Sequence, residues 1–327
     1  MAKLKSDHRI VIHNLMRIDT VLRTKDRNKL CSADVPDIKY LFTCLSNSLG
    51  FMKDYDKGKV VLKLTDIVIS DKDNYCCIMI NVRDKTAGTS VIVEDNTDEH
   101  QDIALTPGKS WGVSMHVMFS LIQNYGTYKV VYEQVPDVNH RRLVSFINSM
   151  FFDVVKKNEA NFTRNTRSNE IDPSTQQAIK EKYKLSITID PQPYDGFKEG
   201  VDTGRISDIQ VVKVVENSNG NNVDGHSAII ERAHIIKIQT PKLTHGKLDY
   251  LKSISERYAS HYERLKFNFT NEDDISGTIE MNTQNLQIEN LIKAFSKKSK
   301  LTGFSSDLKD SYNKAYTPII DKIVEVM

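Results

Sequence analysis

Residues 111–157 read WGVSMHVMFSLIQNYGTYKVVYEQVPDVNHRRLVSFINSMFFDVVKK. The run from Trp111 to Ile122 is long and mostly apolar, as expected of a strand covered on both faces. Tyr128 to Val135 alternates apolar with polar residues, the period of a strand. Pro136-Asp137 ends it, because proline has no N–H to give a ladder. From Asn139 to Lys157 the period changes. Leu143, Phe146, Ile147, Met150, Phe151 and Val154 recur at three and four residues, which places them on one helical face. Strands followed by an amphipathic helix predict an α+β class with a mainly antiparallel sheet.

Upstream, the pattern agrees. His8 to Ile18 reads as a strand. Asp34 to Leu49 reads as a helix, with Asp34 or Asp37 as its cap, Pro36 suited to its first turn and Gly50 at its end. Lys59 to Ser70 and Tyr75 to Val82 are strands, the second a nearly continuous apolar run. Thr89 to Val93 is a short one. Downstream, residues 158–176 (NEANFTRNTRSNEIDPSTQ) are polar and contain one proline, so they read as a linker. The expected organisation is an N-terminal α+β domain over 1–157 and a C-terminal α+β domain over 177–327. The second half resumes with a helix start at Asp172-Pro173-Ser174, then strands at 184–189, 205–215 and 228–239. A helix follows from His245 towards Tyr258, then a hairpin at 265–269 and 275–280. Terminal helices are expected at 286–298 and 307–326, the last kinked at Pro318.

At 327 residues the chain suits about two domains. Lys plus Arg number 45 and Asp plus Glu 43, a net charge of +2. That balance excludes a histone-like basic protein and an acidic disordered tail, while leaving room for a local basic patch. Cys31, Cys44, Cys76 and Cys77 fit no zinc-ligand spacing and read as reduced thiols of a cytoplasmic protein. The basic start MAKLKSDHRIVIHNLMRI has no long apolar run and is not a signal peptide. Ser110 to Tyr128 is uncharged but carries Ser, Gly, Asn, Gln and His, and reads as buried strand rather than membrane span.

Catalytic signatures are missing. There is no GxxxxGK[ST] loop, no GxGxxG after a strand and no HExxH. Gly112-Val113-Ser114-Met115-His116 stops one residue short of a GxSxG elbow. His116, in an apolar strand, reads as a satisfied core histidine. The densest acidic cluster is Glu94, Asp95, Asp98, Glu99 and Asp102, with His100 inside it. It reads as a solvated loop; as a metal site it would suggest a nuclease. No cofactor and no metal are expected.

The cations are more suggestive. Arg141 and Arg142 open the helix after Pro136-Asp137, and Lys156 and Lys157 close it. Lys297, Lys298 and Lys300 cluster near the other end of the chain. Each contact of such a group with a phosphate releases counterions and favours binding at low salt. No RNA-binding or zinc-finger signature accompanies them, so base readout is not indicated.

The order of elements carries a resemblance. It runs through GKSWGVSMHVMFSL, YKVVYEQVPDVNHRRLVSFINSMF, RISDIQVVK, ERAHIIKI and LKFNFTNEDDISGTIEM. In layout and hydrophobic pattern it resembles the bacterial phage-defence proteins of the RexA and KwaB kind, over nearly the whole chain. The resemblance implies a two-domain α+β homodimer that binds duplex DNA without strong sequence preference. It also implies a response to infection, phage exclusion or abortive infection, often through a second defence protein. Two other readings stay open: a metal-dependent nuclease built on the acidic cluster, and an interaction protein that recognises a phage protein or controls a partner.

Overall fold

The computed structural model describes residues 4–22, 34–86, 90–93, 100–103, 109–166, 171–192, 205–214, 221–223, 226–229, 233–239, 246–270, 276–283 and 297–327. The chain divides into two compact units, Met1–Asp190 with Leu301–Met327, and Pro191–Lys300. The architecture is mixed, with mostly antiparallel sheet and few helices.

The first unit begins with β1 (Arg9–Leu22), α1 (Ile38–Ser46), β2 (Met52–Tyr55), β3 (Val60–Ser70) and β4 (Tyr75–Asp84). Next come β5 (Ser90–Val93) and β6 (His100–Ile103), which pair with each other, then β7 (Trp111–Asn124) and β8 (Thr127–Glu133). After α2 (His140–Lys157) the chain forms β9 (Thr163–Asn165) and β10 (Lys180–Pro191). The second unit holds β11 (Arg205–Val214), β12 (Asn221–Val223), β13 (His226–Ile229), β14 (Ala233–Ile238), α3 (Lys247–Tyr258), β15 (Arg264–Thr270) and β16 (Ser276–Asn282). The last elements are β17 (Lys298–Leu301) and α4 (Thr317–Val326). Among the described residues the main sheet of the first unit runs in the order β2-β3-β4-β7-β8-β1-β10-β9. In the second unit a four-stranded sheet, β14-β11-β15-β16, shares a core with Leu251 and Ile254 of α3.

Period-two alternation gives the main sheet two buried faces. Cys76, Ile78, Ile80 and Val82 of β4, with Val113, Met115, Val117 and Phe119 of β7, share a core with Leu41, Phe42 and Leu45 of α1 and the apolar stripe of α2. Cys77 of β4 and Met118 of β7 point the other way, into a second core with Leu308, Ile319, Ile320 and Ile323 of the returning C-terminal segment. Strands covered twice read as continuous apolar runs, which is why β4 and β7 look so uniform in sequence.

Both helices start where their caps dictate. The Asp37 carboxylate accepts from the Tyr40 N–H at 3.0 Å, and the Asn139 side chain accepts from the Arg142 N–H at 2.8 Å. α2 is then tied down on two sides. Lys53 of β2 donates from Nζ to Ser145 Oγ at 2.9 Å, Ser149 Oγ at 2.6 Å and the Ser145 carbonyl at 3.2 Å. On the other side the Asn148 carboxamide accepts from the Ile187 N–H at 2.9 Å and donates to the Ile187 carbonyl at 2.8 Å. β9 pairs only with Lys180–Lys182 of β10. At Ile187 the Asn148 amide therefore does for β10 what a further strand would do, satisfying an N–H and a C=O of one residue.

Several expectations are corrected. The polar stretch 158–176 does not separate two units: Thr163–Asn165 is a strand of the main sheet, and the division falls after Asp190. Its polarity marks an edge strand and turns. Asp172-Pro173-Ser174 starts no helix, because the Asp172 carboxylate turns back onto Ser174 and Thr175 in a local turn. Leu301–Met327 belongs to the first unit. Within it, helix begins only at Thr317, so Pro318 sits in the first turn, where its missing N–H costs nothing, and makes no kink. The expected helix over 286–298 falls mainly outside the described residues, and Lys298 is in a strand. Cys31 also lies outside them; Cys44, Cys76 and Cys77 are buried free thiols.

The pairing of Asn148 with Ile187 makes a direct prediction. Asn148→Ala leaves two backbone groups of β10 without their partner and should cost about 1–3 kcal/mol, read as a lower urea midpoint. An unchanged midpoint would show that solvent replaces the carboxamide at no cost.

Candidate nucleic-acid interface

α2 carries a second stripe opposite its apolar one. Ser145, Ser149, Phe152 and Lys156 follow each other at four, three and four residues, so they line one face of the helix. That stripe forms one wall of a groove of about 860 Å³. Phe51 and Lys53 contribute from the β2 side, and Val21, Lys184, Leu185 and Ser186 from β1 and β10. The described lining residues all belong to the first unit.

Its electrostatics are one-sided. Lys53, Lys156 and Lys184 line it, and among the described residues no carboxylate pairs with any of them. Among the described residues the only acid in the lining is Asp153, which is already bound by Lys157 Nζ at 2.7 Å and by Ser48 Oγ at 2.8 Å. Burial alone would raise Asp153. The hydrogen bonds from Lys157 and Ser48, with the charges of Lys157 and Lys156, more than offset that and hold it below the ordinary carboxylate value. Lys53 is lowered by burial. Its three N–H bonds go to neutral oxygens, and its ammonium also lies 5.3 Å from the centre of the Tyr55 ring. Lys53 therefore supplies positive charge to the groove while its donors stay engaged in the fold. Among the described residues, an anion entering here meets three ammonium groups and one neutralised carboxylate.

The seven cations singled out from the sequence have different fates. Arg141 is exposed at the start of α2. Arg142 is committed to structure: it pairs with Asp56 at 2.7 Å, donates to the Asp137 carbonyl and lies over the Tyr55 ring. Lys156 is exposed and lines the groove. Lys157 is held by Asp153 and by Ser48 at 3.0 Å. Lys297, Lys298 and Lys300 fall in the second unit. There the Lys297 N–H donates to the Gln192 carbonyl at 3.1 Å, Lys298 is lowered by burial, and Lys300 is exposed. Of the seven, the groove takes Lys156 alone. Lys53 and Lys184, which sequence reading passes over, complete it. Nothing local marks them, since each is an ordinary polar position of a strand, 131 residues apart in the chain (184 minus 53).

The near-elbow at Ser114 is part of a buried polar lock. Ser114 Oγ donates to Asn81 Oδ1 at 2.7 Å and accepts from the Tyr312 N–H at 2.7 Å. His116 Nε2 accepts from the Tyr316 N–H at 2.9 Å. Nδ1 therefore carries the proton and donates to Glu133 Oε2 at 2.6 Å. Glu133 also accepts from the His116 N–H at 2.7 Å and faces Arg9 at 3.3 Å. Arg9 in turn donates to the Lys309 carbonyl at 2.8 Å, and the Asp66 carboxylate accepts from the Ala315 N–H at 2.8 Å. Both imidazole nitrogens are occupied, so this histidine activates no nucleophile. The network fastens the C-terminal segment to the second face of the sheet. The neighbouring Cys76 and Cys77 thiols are pushed far up by burial, which keeps them protonated and inert.

Glu94, Asp95, Asp98 and Glu99 lie outside the described residues, while His100 and Asp102 stand on β6 opposite Val93 and Val91. Among the described residues no group of three or more His, Cys, Asp or Glu is placed to hold a metal ion, and no helix is long and apolar enough to cross a membrane. No family model, no curated protein and no solved structure matches the chain.

Glu133 is the hub of the lock, and its removal has a predicted size. Glu133→Ala strips the partner from a buried imidazole, a buried backbone N–H and a buried guanidinium. The expected loss is about 3–5 kcal/mol of stability, measured by urea unfolding. A variant as stable as the parent would contradict the lock.

Proposed function

We propose that this chain is a non-enzymatic DNA-binding protein that contacts phosphates along α2 and in the groove beside it, without strong sequence preference. The observation that carries this reading is the charge of the groove: Lys53, Lys156 and Lys184 face it, and the one carboxylate among its described lining residues is neutralised by Lys157. Arg141 extends the same helix with a further exposed cation. Lysines act on phosphate as point charges, and contacts to phosphate carry no sequence information directly. Most polar side chains of the lining are already used: Asn148 by Ile187, Ser145 by Lys53, and Ser149 by Lys53 and the Ser145 carbonyl, which leaves Ser186.

The wider role follows the layout resemblance to phage-defence proteins. In this proposal the protein acts in the cytoplasm as a homodimer, its two compact units serving as separate domains. It takes part in phage exclusion or abortive infection, with a second defence protein or a phage protein as its partner.

Fluorescence anisotropy of a labelled short DNA, run as duplex and as single strand across a salt series without metal, tests the binding. Affinity should fall steeply with salt, with each phosphate contact contributing about 0.7–0.9 to the log–log slope. The triple variant Arg141→Glu, Lys156→Glu and Lys184→Glu should lose binding and a proportionate part of the slope while its melting temperature stays close to the parent's. No binding of either form at low salt would overturn the proposal.

A further inference from the structure

Phe152 stands out on the polar stripe of α2. It is 44% exposed, yet it sits between Ser149 and Lys156 on the face that lines the groove. Around it the groove has an apolar part, with Phe51, Val21 and Leu185, and a cationic part, with Lys156 and Lys184. A volume of about 860 Å³ falls in the range of small-molecule sites, roughly 300–1,000 Å³. A ligand that satisfies both parts must join a flat apolar surface to a compact anion.

We propose that the groove takes one unpaired nucleoside phosphate, its base stacked on Phe152 and its phosphate on Lys156 and Lys184. A base stacks on an aromatic ring whatever its identity, because every base presents a π-face. With the donors of Asn148 and Ser149 engaged, Ser186 is the hydroxyl of the described lining left to discriminate one base from another. Lys53 contributes its field from behind the serines, and the incoming anion offsets the cost that burial imposes on its charge. A base within duplex DNA is stacked on both faces and cannot reach Phe152, so the groove selects single strand over duplex. The same chemistry occurs in a free nucleotide and in one unit of a DNA strand. The strand is the source that rests on the DNA-binding reading above.

The test measures binding of the full-length protein to three probes: a labelled single-stranded DNA, the matching duplex, and free adenosine monophosphate. Parent, Phe152→Ala and Phe152→Leu are compared; the ring is exposed, so the fold should survive both changes. Phe152→Ala should weaken the single strand about tenfold and leave the duplex unchanged. Phe152→Leu, which keeps apolar bulk but no π-face, should be nearly as weak. Equal affinity for single strand and duplex, both indifferent to Phe152, would overturn this inference and leave the DNA-binding reading standing. Phe152-dependent binding of the free nucleotide with no binding of either DNA would support the nucleoside-phosphate site and overturn the DNA-binding reading. No binding of any probe would overturn both.

Discussion

The seating of α2 is the constraint on which the functional surface depends. An amphipathic helix packed only by its apolar stripe could slide or rotate along a sheet face with little change in buried area. Here two polar ties remove that freedom. The Asn148 carboxamide closes onto the N–H and C=O of Ile187, and the Lys53 ammonium is coordinated by Ser145 and Ser149. Both ties are directional, so they fix the rotation of the helix about its axis. Fixing that rotation points Phe152 and Lys156 at the groove. It also leaves a lysine charge beside the groove with no carboxylate partner among the described residues, an arrangement that stability alone does not require.

The other face of the sheet shows the opposite use of polar groups. Arg9, His116 and Glu133 are all nearly inaccessible to solvent, and they are joined to the C-terminal segment through Lys309 and Tyr316. A buried network of this kind adds less to stability than its contacts suggest, because each charge has lost its hydration. It does select one placement of the segment, since any shift leaves several groups unpaired at once. The neutral imidazole is well suited to this fastening, because one nitrogen donates to Glu133 while the other accepts from Tyr316. The helix that lines the groove and the fastened segment thus pack on separate faces of one sheet.

Much of the local structure is legible in the sequence. The apolar runs of β4 and β7, the six-residue stripe on α2 and a cap for α1 at Asp34 or Asp37 all follow from short-range rules, and the structure selects Asp37. His116 reads as a satisfied core histidine, and its two ring hydrogen bonds make it one. What is not legible depends on contacts between distant segments. β2 is four residues with exposed and half-exposed positions, so it lacks an apolar signature. β9 is three polar residues and has the composition of a linker. The return of Leu301–Met327 to the first unit is set by Ile319, Ile320 and Ile323 meeting Cys77 and Met118, which no local pattern announces. The groove is half visible for the same reason: Lys156 stands out beside Lys157, while Lys53 and Lys184 gain meaning only once the sheet brings their strands to α2.

The central claim is that DNA reaches the lysines of this groove. Chemical acetylation of the full-length protein, with and without saturating short single-stranded DNA and read by mass spectrometry, tests it most directly. The account predicts that Lys156 and Lys184 lose reactivity when DNA is present, while Lys53 reacts slowly in both states because its donors are engaged. Unchanged reactivity at Lys156 and Lys184, with protection appearing at Lys297 and Lys300 instead, would contradict it and move the DNA contact to the second unit.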